Sequence, residues 1–255
     1  MTLLSRRTLP ALVLAALLPG PALPVRAGDL PFAVGEKLTF AVRYEFAKAG
    51  EASMEVKETV ECGSGSECFR LVSTAWSTMP FSLFFEVKDV VESYMDTAEL
   101  YTWRYEKHLK EGNHEASEVV VFDQEAHTAT YPDGRVIDTP ERVQDVLSSL
   151  YFVRTMDIEV GKSLFIDNHA DEKNYPLEVK VLKTEKIRVP AGTFECYVLE
   201  PILKASGIFQ HKGRLKVWLS TDPGHIPVMM KSSVAIGAIN AVLIDIVRGR
   251  DEGKR

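Results

Sequence analysis

The sequence predicts an all-β, mostly antiparallel domain: a large curved sheet or partly closed β-barrel with one covering α-helix. Three observations carry this. Apolar and polar residues alternate along segment after segment, the period of strands with one buried face. Turn signals rich in Gly, Pro, Asn and Asp separate those segments at short intervals. A single stretch switches to helical spacing.

Leu38, Phe40, Val42, Tyr44 and Phe46 alternate with polar or small residues. Lys48-Ala49-Gly50-Glu51 reads as a turn, after which Ala52, Met54 and Val56 alternate again, giving a hairpin. The pattern returns in Phe69 to Ser77 and in Tyr101, Trp103 and Tyr105. Glu111-Gly112-Asn113 is the next turn, and Val119, Val121 and the short strand Thr128 to Tyr131 follow. Thr139-Pro140-Glu141 then has the form of a cap, a first-turn proline and a first-turn acid. Val143, Val146, Leu147, Leu150 and Tyr151 recur at helical spacing, so a helix is expected from Pro140 to Met156, its apolar stripe laid onto the sheet. Strands resume in Leu164 to Asp167 and Tyr175 to Val189, read as a hairpin around Asn168 to Asn174. Further strands are expected in Phe194 to Leu203, Gly213 to Ser220, Ile226 to Ser233 and Ala241 to Val247. Open twisted sheets seldom grow beyond about ten strands, so this many must curl or close. A strongly curved sheet under one helix would leave an apolar concavity.

The first 27 residues read as a cleavable signal peptide. Arg6 and Arg7 make a positive start, Ala11 to Leu18 an apolar run, and Val25-Arg26-Ala27 a small-residue cleavage site. The apolar run is shorter than the roughly 20 residues that span a bilayer. Ser5-Arg6-Arg7-Thr8-Leu9 also resembles a twin-arginine signal, which leaves the export route open. The expected organisation is residues 1–27 as signal, 28–248 as one β-rich domain and 249–255 as a disordered tail, in a periplasmic protein. The formal net charge of −6 becomes −9 once Arg6, Arg7 and Arg26 are removed (−6 − 3 = −9). That acidity argues against nucleic acid, which needs a basic face, and against a polybasic lipid-binding patch.

Export to an oxidising compartment favours a Cys62–Cys68 disulfide pinching the base of a short loop, with Cys68–Cys196 as the competing pair. Cys196, within Phe194 to Leu199, then reads as a buried structural thiol.

Several stretches resemble the domain of unknown function 3108 family of exported bacterial proteins. They include Gly35 to Phe40, Lys48 to Ala52, Asp145-Val146-Leu147-Ser148-Ser149-Leu150-Tyr151-Phe152-Val153-Arg154, Val189 to Cys196, Val217 to Asp222 and Ile226 to Val228. The resemblance runs from about Phe32 to about Leu243. It implies an exported, β-rich protein and carries no reaction and no catalytic residues.

The chemistry-bearing motifs are sparse. Asp167-Asn168-His169-Ala170-Asp171-Glu172 with Glu178 has alternating oxygen ligands, but Glu172 stands where a calcium loop needs Gly, and a solvated hairpin tip is the better reading. His108 and His114 flank the turn at Gly112 and could face each other, yet no third ligand accompanies them. No His-Glu-x-x-His and no Gly-x-Ser-x-Gly occurs. Neither a metal, a cofactor nor a catalytic residue is assigned.

Met79-Pro80-Phe81-Ser82-Leu83-Phe84-Phe85 is too apolar for a routine solvent loop; it is either a strand start entering the core or a lip that touches a membrane or an acyl chain. Ala235 to Ile239 is a second small apolar segment that could lie beside it. Phe81, Leu83, Phe84, Phe85 and Trp103 are the candidate ligand-binding residues. Arg104, Lys107, Arg142 and Arg154 could meet an anionic headgroup, although scattered basic residues more often pair with local acids. The leading expectation is a non-catalytic carrier or chaperone of an apolar ligand such as a lipid or lipoprotein. The first alternative is an envelope protein that docks a protein partner, and the second is a hydrolase of unrecognised type. The oligomeric state is not encoded in any of these features.

Overall fold

The computed structural model describes residues 30–45, 47–202, 215–233 and 238–249. The expected signal peptide, Phe46, most of the Ala235–Ile239 segment and nearly all of the expected tail lie outside these residues. The described residues form one 14-stranded antiparallel sheet and one α-helix. Its strands are β1 (Lys37–Tyr44), β2 (Ala47–Cys62), β3 (Ser66–Ser77), β4 (Lys88–Asp96), β5 (Thr102–Glu111), β6 (His114–Asp123), β7 (Thr128–Thr130) and β8 (Val136–Asp138). After α1 (Val146–Arg154) come β9 (Ser163–Ala170), β10 (Lys173–Val189), β11 (Gly192–Ile202), β12 (Leu215–Ser220), β13 (Pro227–Ser233) and β14 (Ala238–Val247).

Strands β1 to β8 are laid down in sequence order, as are β9 to β14, and antiparallel pairing of β1 with β14 joins the two meanders. The free edges are β8 and β9, so the curved ladder stays unclosed there. Residues Val143 to Asp145 bridge the gap. Thr102 N donates to Val143 O at 3.2 Å, Gln144 N donates to Asp167 O at 2.9 Å, and His169 N donates to Gln144 O at 2.8 Å. Side chains complete the seam: the Tyr131 hydroxyl meets His169 Nε2 at 2.6 Å, Arg135 pairs with Glu172, and Asn174 Nδ2 donates to Asp138 O at 2.6 Å.

This strut explains why the helix is shorter than its periodicity predicts. It spans nine residues, Val146–Arg154, rather than Pro140 to Met156. Arg142 sits at φ 56°, a left-handed conformation that interrupts a helix, and the backbone of Val143 and Gln144 is committed to neighbouring strands. The cap is Asp145, not Thr139: its Oδ1 accepts from Leu147 N and Ser148 N, and Ser148 Oγ accepts from Asp145 N, a reciprocal capping box. Val146, expected in the buried stripe, is exposed.

Two turns also move. Lys48 to Glu51 lie within β2, and the chain reverses earlier, at Glu45 with φ 51°. Gly50 instead permits close strand approach, since a Cβ there would fall 2.2 Å from Trp76 O. The second hairpin tip is Asp171-Glu172, both at positive φ, with Asn168 and His169 inside β9.

Apolar side chains occupy the concave side. Phe40, Leu71, Met95, Tyr151 and Leu243 belong to one buried cluster, and Ile166, Val179, Leu199 and Leu219 to a second beside the end of α1. Tyr105, Phe122, Tyr131 and Val143 form a third beneath β5 to β8. Phe32 wedges edge-on between Phe69 and Tyr151, with ring centroids 5.6 and 5.0 Å away. The concavity expected from the sequence is therefore a packed core around α1.

Candidate functional site

Strand register sorts the connections onto two rims. Gly50 pairs with Ser77 and Val87 bridges to Glu111, which gathers the β1–β2 turn, the β3–β4 connection and the β5–β6 turn at one rim. Cys62 pairs with Ser66 and Cys68 with Asp96, placing the disulfide loop at the other.

The β3–β4 connection is the apolar lip. Met79, Leu83, Phe84 and Phe85 are 67%, 69%, 86% and 44% exposed. Phe81 to Leu83 make one 3-10 turn, and Phe81 is half-buried. The loop is shaped by its own hydrogen bonds: Ser82 N to Thr78 O, Leu83 N to Pro80 O, and both Phe84 N and Phe85 N to Phe81 O. Thr78 N donates to Ala49 O, and Ser77 exchanges bonds with Val87, which ties both ends of the loop to the sheet. Phe85 lies on the β5–β6 turn, where a Cβ on Gly112 would come within 2.9 Å of its ring. Glycine therefore suits position 112 twice, by this contact and by its φ of 60°.

Trp103 does not join this group. It is buried at the opposite rim, donating from Nε1 to Asp96 Oδ2 at 3.0 Å and packing edge-on to Tyr101. A Cβ on Gly63 would lie 2.6 Å from its ring, so Trp103 supports the loop closed by Cys62 and Cys68. From Cys68 to Ser77, β3 covers about 30 Å at strand rise. Cys62 and Cys68 form the disulfide and Cys196 is a free, buried thiol, which removes the competing pairing.

The basic residues weighed for a headgroup have acidic partners. Arg104 pairs with Glu106 at 2.6 Å, Lys107 with Glu118 at 2.6 Å, Arg142 with Glu99, and Arg154 with Glu36 at 2.7 Å. His108 faces Ser117, with Nδ1 and Oγ 3.1 Å apart, and His114 stands opposite Glu111 in the strand register, so the two histidines do not face each other. No group of three His, Cys, Asp or Glu residues is arranged to hold a metal ion among the described residues.

A buried polar cluster that the sequence reading missed surrounds the start of α1. Asp145 Oδ2 accepts from Ser93 Oγ at 2.5 Å and from Thr102 Oγ1 at 3.0 Å. Burial raises the Asp145 carboxyl above the usual carboxylate range, opposed by the bonds from Ser93, Ser148, Thr102 and Leu147. Beside it, Asn168 Nδ2 donates to Ser149 Oγ at 2.8 Å. His169 Nδ1 is 2.6 Å from Asn174 Oδ1, and the Asn174 amide nitrogen is spent on Asp138 O, so Nδ1 carries the proton and Nε2 accepts from Tyr131. Both imidazole nitrogens are thereby occupied, and neither meets a serine. The only advance signal was Ser148-Ser149 on an otherwise apolar helix face.

A cleft of about 310 Å³ opens at the disulfide rim, lined by Leu30, Arg142, Phe152, Arg154, Pro223 and His225 among others. Its polar groups are engaged internally. Arg154 donates to Glu36, Pro31 O and Gly224 O, and His225 Nδ1 donates to Arg154 O at 2.8 Å.

The fold is similar to solved structures of low sequence identity. A β-barrel-like protein of the domain of unknown function DUF1849 from Brucella abortus aligns with a TM-score of 0.55 at 8% identity, over 86% of this chain and 99% of that one. A DUF1089 family protein from Pseudomonas aeruginosa gives a TM-score of 0.42 at 9% identity, over 72% and 90%. A candidate lipoprotein from Parabacteroides distasonis gives 0.36 at 14% identity, over 86% and 98%. The first supports the β-barrel-like fold and nothing further. No curated protein matches the chain. No described helix is long and apolar enough to cross a membrane. The family model described as "Protein of unknown function (DUF3108)" matches residues 39–244, and the chain belongs to that family.

Proposed function

We propose that this protein is a non-catalytic, exported periplasmic protein that engages an apolar ligand, a lipid or the acyl chain of a lipoprotein, through the lip at Met79–Phe85. One observation carries the reading: four large apolar side chains stand exposed together on a loop whose backbone is ordered by its own hydrogen bonds. Such a cluster costs solubility unless something apolar covers it. With the interior packed, this reading rests on the exposed lip and not on an internal cavity. The N-terminal signal pattern and the Cys62–Cys68 disulfide support the compartment.

Native mass spectrometry with lipid extraction, on mature protein purified from its own periplasm, tests this. A discrete co-purifying lipid that is lost on Phe84→Ser with Phe85→Ser is the expected result. Protein that stays empty and takes up no acyl probe would sink the proposal. That result would favour the second reading, an envelope protein docking a protein partner, which draws its support from the filled interior.

A further inference from the structure

We infer that the lip is a bilayer-inserting loop that seats this rim on the surface of a neutral lipid membrane. The inference deepens the proposal above and rests on its assignment of the lip as the apolar contact.

What separates a bilayer from a protein groove is the treatment of backbone polar groups. Within hydrocarbon an unpaired amide costs several kcal/mol, so a loop that enters it must satisfy its own N–H groups. Most of the amides of the lip are placed that way. The amides of Ser82, Leu83, Phe84 and Phe85 all donate within the loop, Pro80 has none to place, and Thr78 donates to Ala49 O at the base. Thr78 to Phe85 is also an eight-residue run without a charge. Charge begins immediately below it: Glu86 is held by Lys88 at 2.7 Å and Lys110 at 3.3 Å, which keep its carboxyl below the ordinary range, Lys88 most strongly. Trp76 and Tyr44, each over a third exposed, stand near the same rim, the amphipathic aromatics expected at headgroup depth. Apolar tip, aromatic residues and a paired charged base succeed one another along one direction, as in interfacial anchors.

The charge pattern selects the lipid. Near this rim Lys88 and Lys110 share Glu86 and Lys48 pairs with Glu51 at 2.6 Å, and the expected mature charge is −9 (−6 − 3), so the rim presents no polybasic patch to anionic headgroups. Binding should therefore be driven by apolar burial and be indifferent to salt.

Flotation of the mature protein with phosphatidylcholine vesicles tests this. The wild type should float, equally at low and high salt. Leu83→Ser with Phe84→Ser should weaken partitioning by at least about tenfold, because two side chains lose their burial. Its thermal midpoint should be unchanged, since both side chains are exposed in the free protein. Wild-type protein that stays with the soluble fraction, or binds only anionic vesicles in a salt-sensitive way, would overturn the inference. The two proposals fail separately. Co-purified lipid without flotation removes membrane docking alone, whereas flotation of protein that never carries a lipid removes the carrier role and keeps the docking.

Discussion

Arg154 places two parallel hydrogen bonds on the Glu36 carboxylate, 2.7 and 2.9 Å long, joining the last residue of α1 to the residue just before β1 across 118 positions of sequence. Both side chains are buried, and the guanidinium lies over the rings of Phe32 and Tyr151 at 5.3 and 5.2 Å. Its remaining donors reach Pro31 O and Gly224 O, so Arg154 locks the helix end, the strand entry and the β12–β13 turn together. The bidentate geometry and the stacked rings are features that lysine would not reproduce.

Removing one partner should hurt more than removing both. Arg154→Met strands Glu36 in the core and is expected to cost about 3–5 kcal/mol, whereas Arg154→Met with Glu36→Leu should recover part of that loss. Urea denaturation of the two variants checks it. A double variant no more stable than the single one would show that the pair is not coupled as described.

Asp145 should give the protein a pH-dependent liability. Burial raises its folded carboxyl above the unfolded value, so between those two values the folded state holds the proton more tightly. Its contribution to stability is thus fullest below the unfolded carboxylate range and declines as pH rises through the window above it. Asp145→Asn carries no such charge and can keep the cap through its amide oxygen. Thermal melts from about pH 4 upward should show the variant gaining on the wild type as pH rises. A difference that is flat or runs the other way would count against a strained buried carboxylate.

Reduction should act through the Cys62–Cys68 loop alone. The loop is short, with a sequence separation of 6, so chain entropy predicts a loss of about 2 kcal/mol on reduction or on Cys62→Ser with Cys68→Ser. Cys196 is buried, and burial pushes its thiol up to about 12, so the oxidised native protein should not react with thiol reagents until it unfolds. Rapid labelling of the folded protein would contradict the assignment.

The seam should be weakest where side chains replace a ladder. Tyr131→Phe leaves buried His169 Nε2 without its donor and is expected to cost about 1–2 kcal/mol. Hydrogen exchange at Gln144 and His169, whose amides bridge to β9 and to the strut, should quicken more than at β1 or β2. Uniform quickening across the sheet would mean that the seam is no weaker than the ladder.

Most strand-forming segments were legible because alternation is written within a few consecutive residues, whereas β4 (Lys88–Asp96) and the three-residue β8 (Val136–Asp138) went unread. Leu38 and Phe40 are buried and Lys37 and Arg43 exposed, as their spacing predicts. The apolar run Met79–Phe85 and the Cys62–Cys68 pair were legible for the same reason, each lying within one short stretch. The helix start was misread because Val143 fits a helical stripe and a strand strut equally well; Asp167, His169 and Thr102 decide between them from outside. Gly50 was taken for a turn because the sequence records its missing side chain but not the Trp76 carbonyl beside it.

By itself, then, the sequence determined the β class and the family resemblance and favoured the Cys62–Cys68 disulfide, while the Met79–Phe85 run stayed open between a strand start entering the core and an exposed lip. Only the tertiary structure decided that the concavity is filled, that Trp103 and the phenylalanines sit at opposite rims, and that Asp145, His169 and Arg154 have buried partners. Those outcomes depend on how far a 14-stranded sheet curls before β8 and β9 face each other. The curl is a sum of small twists over every strand pair, which no local stretch of residues specifies.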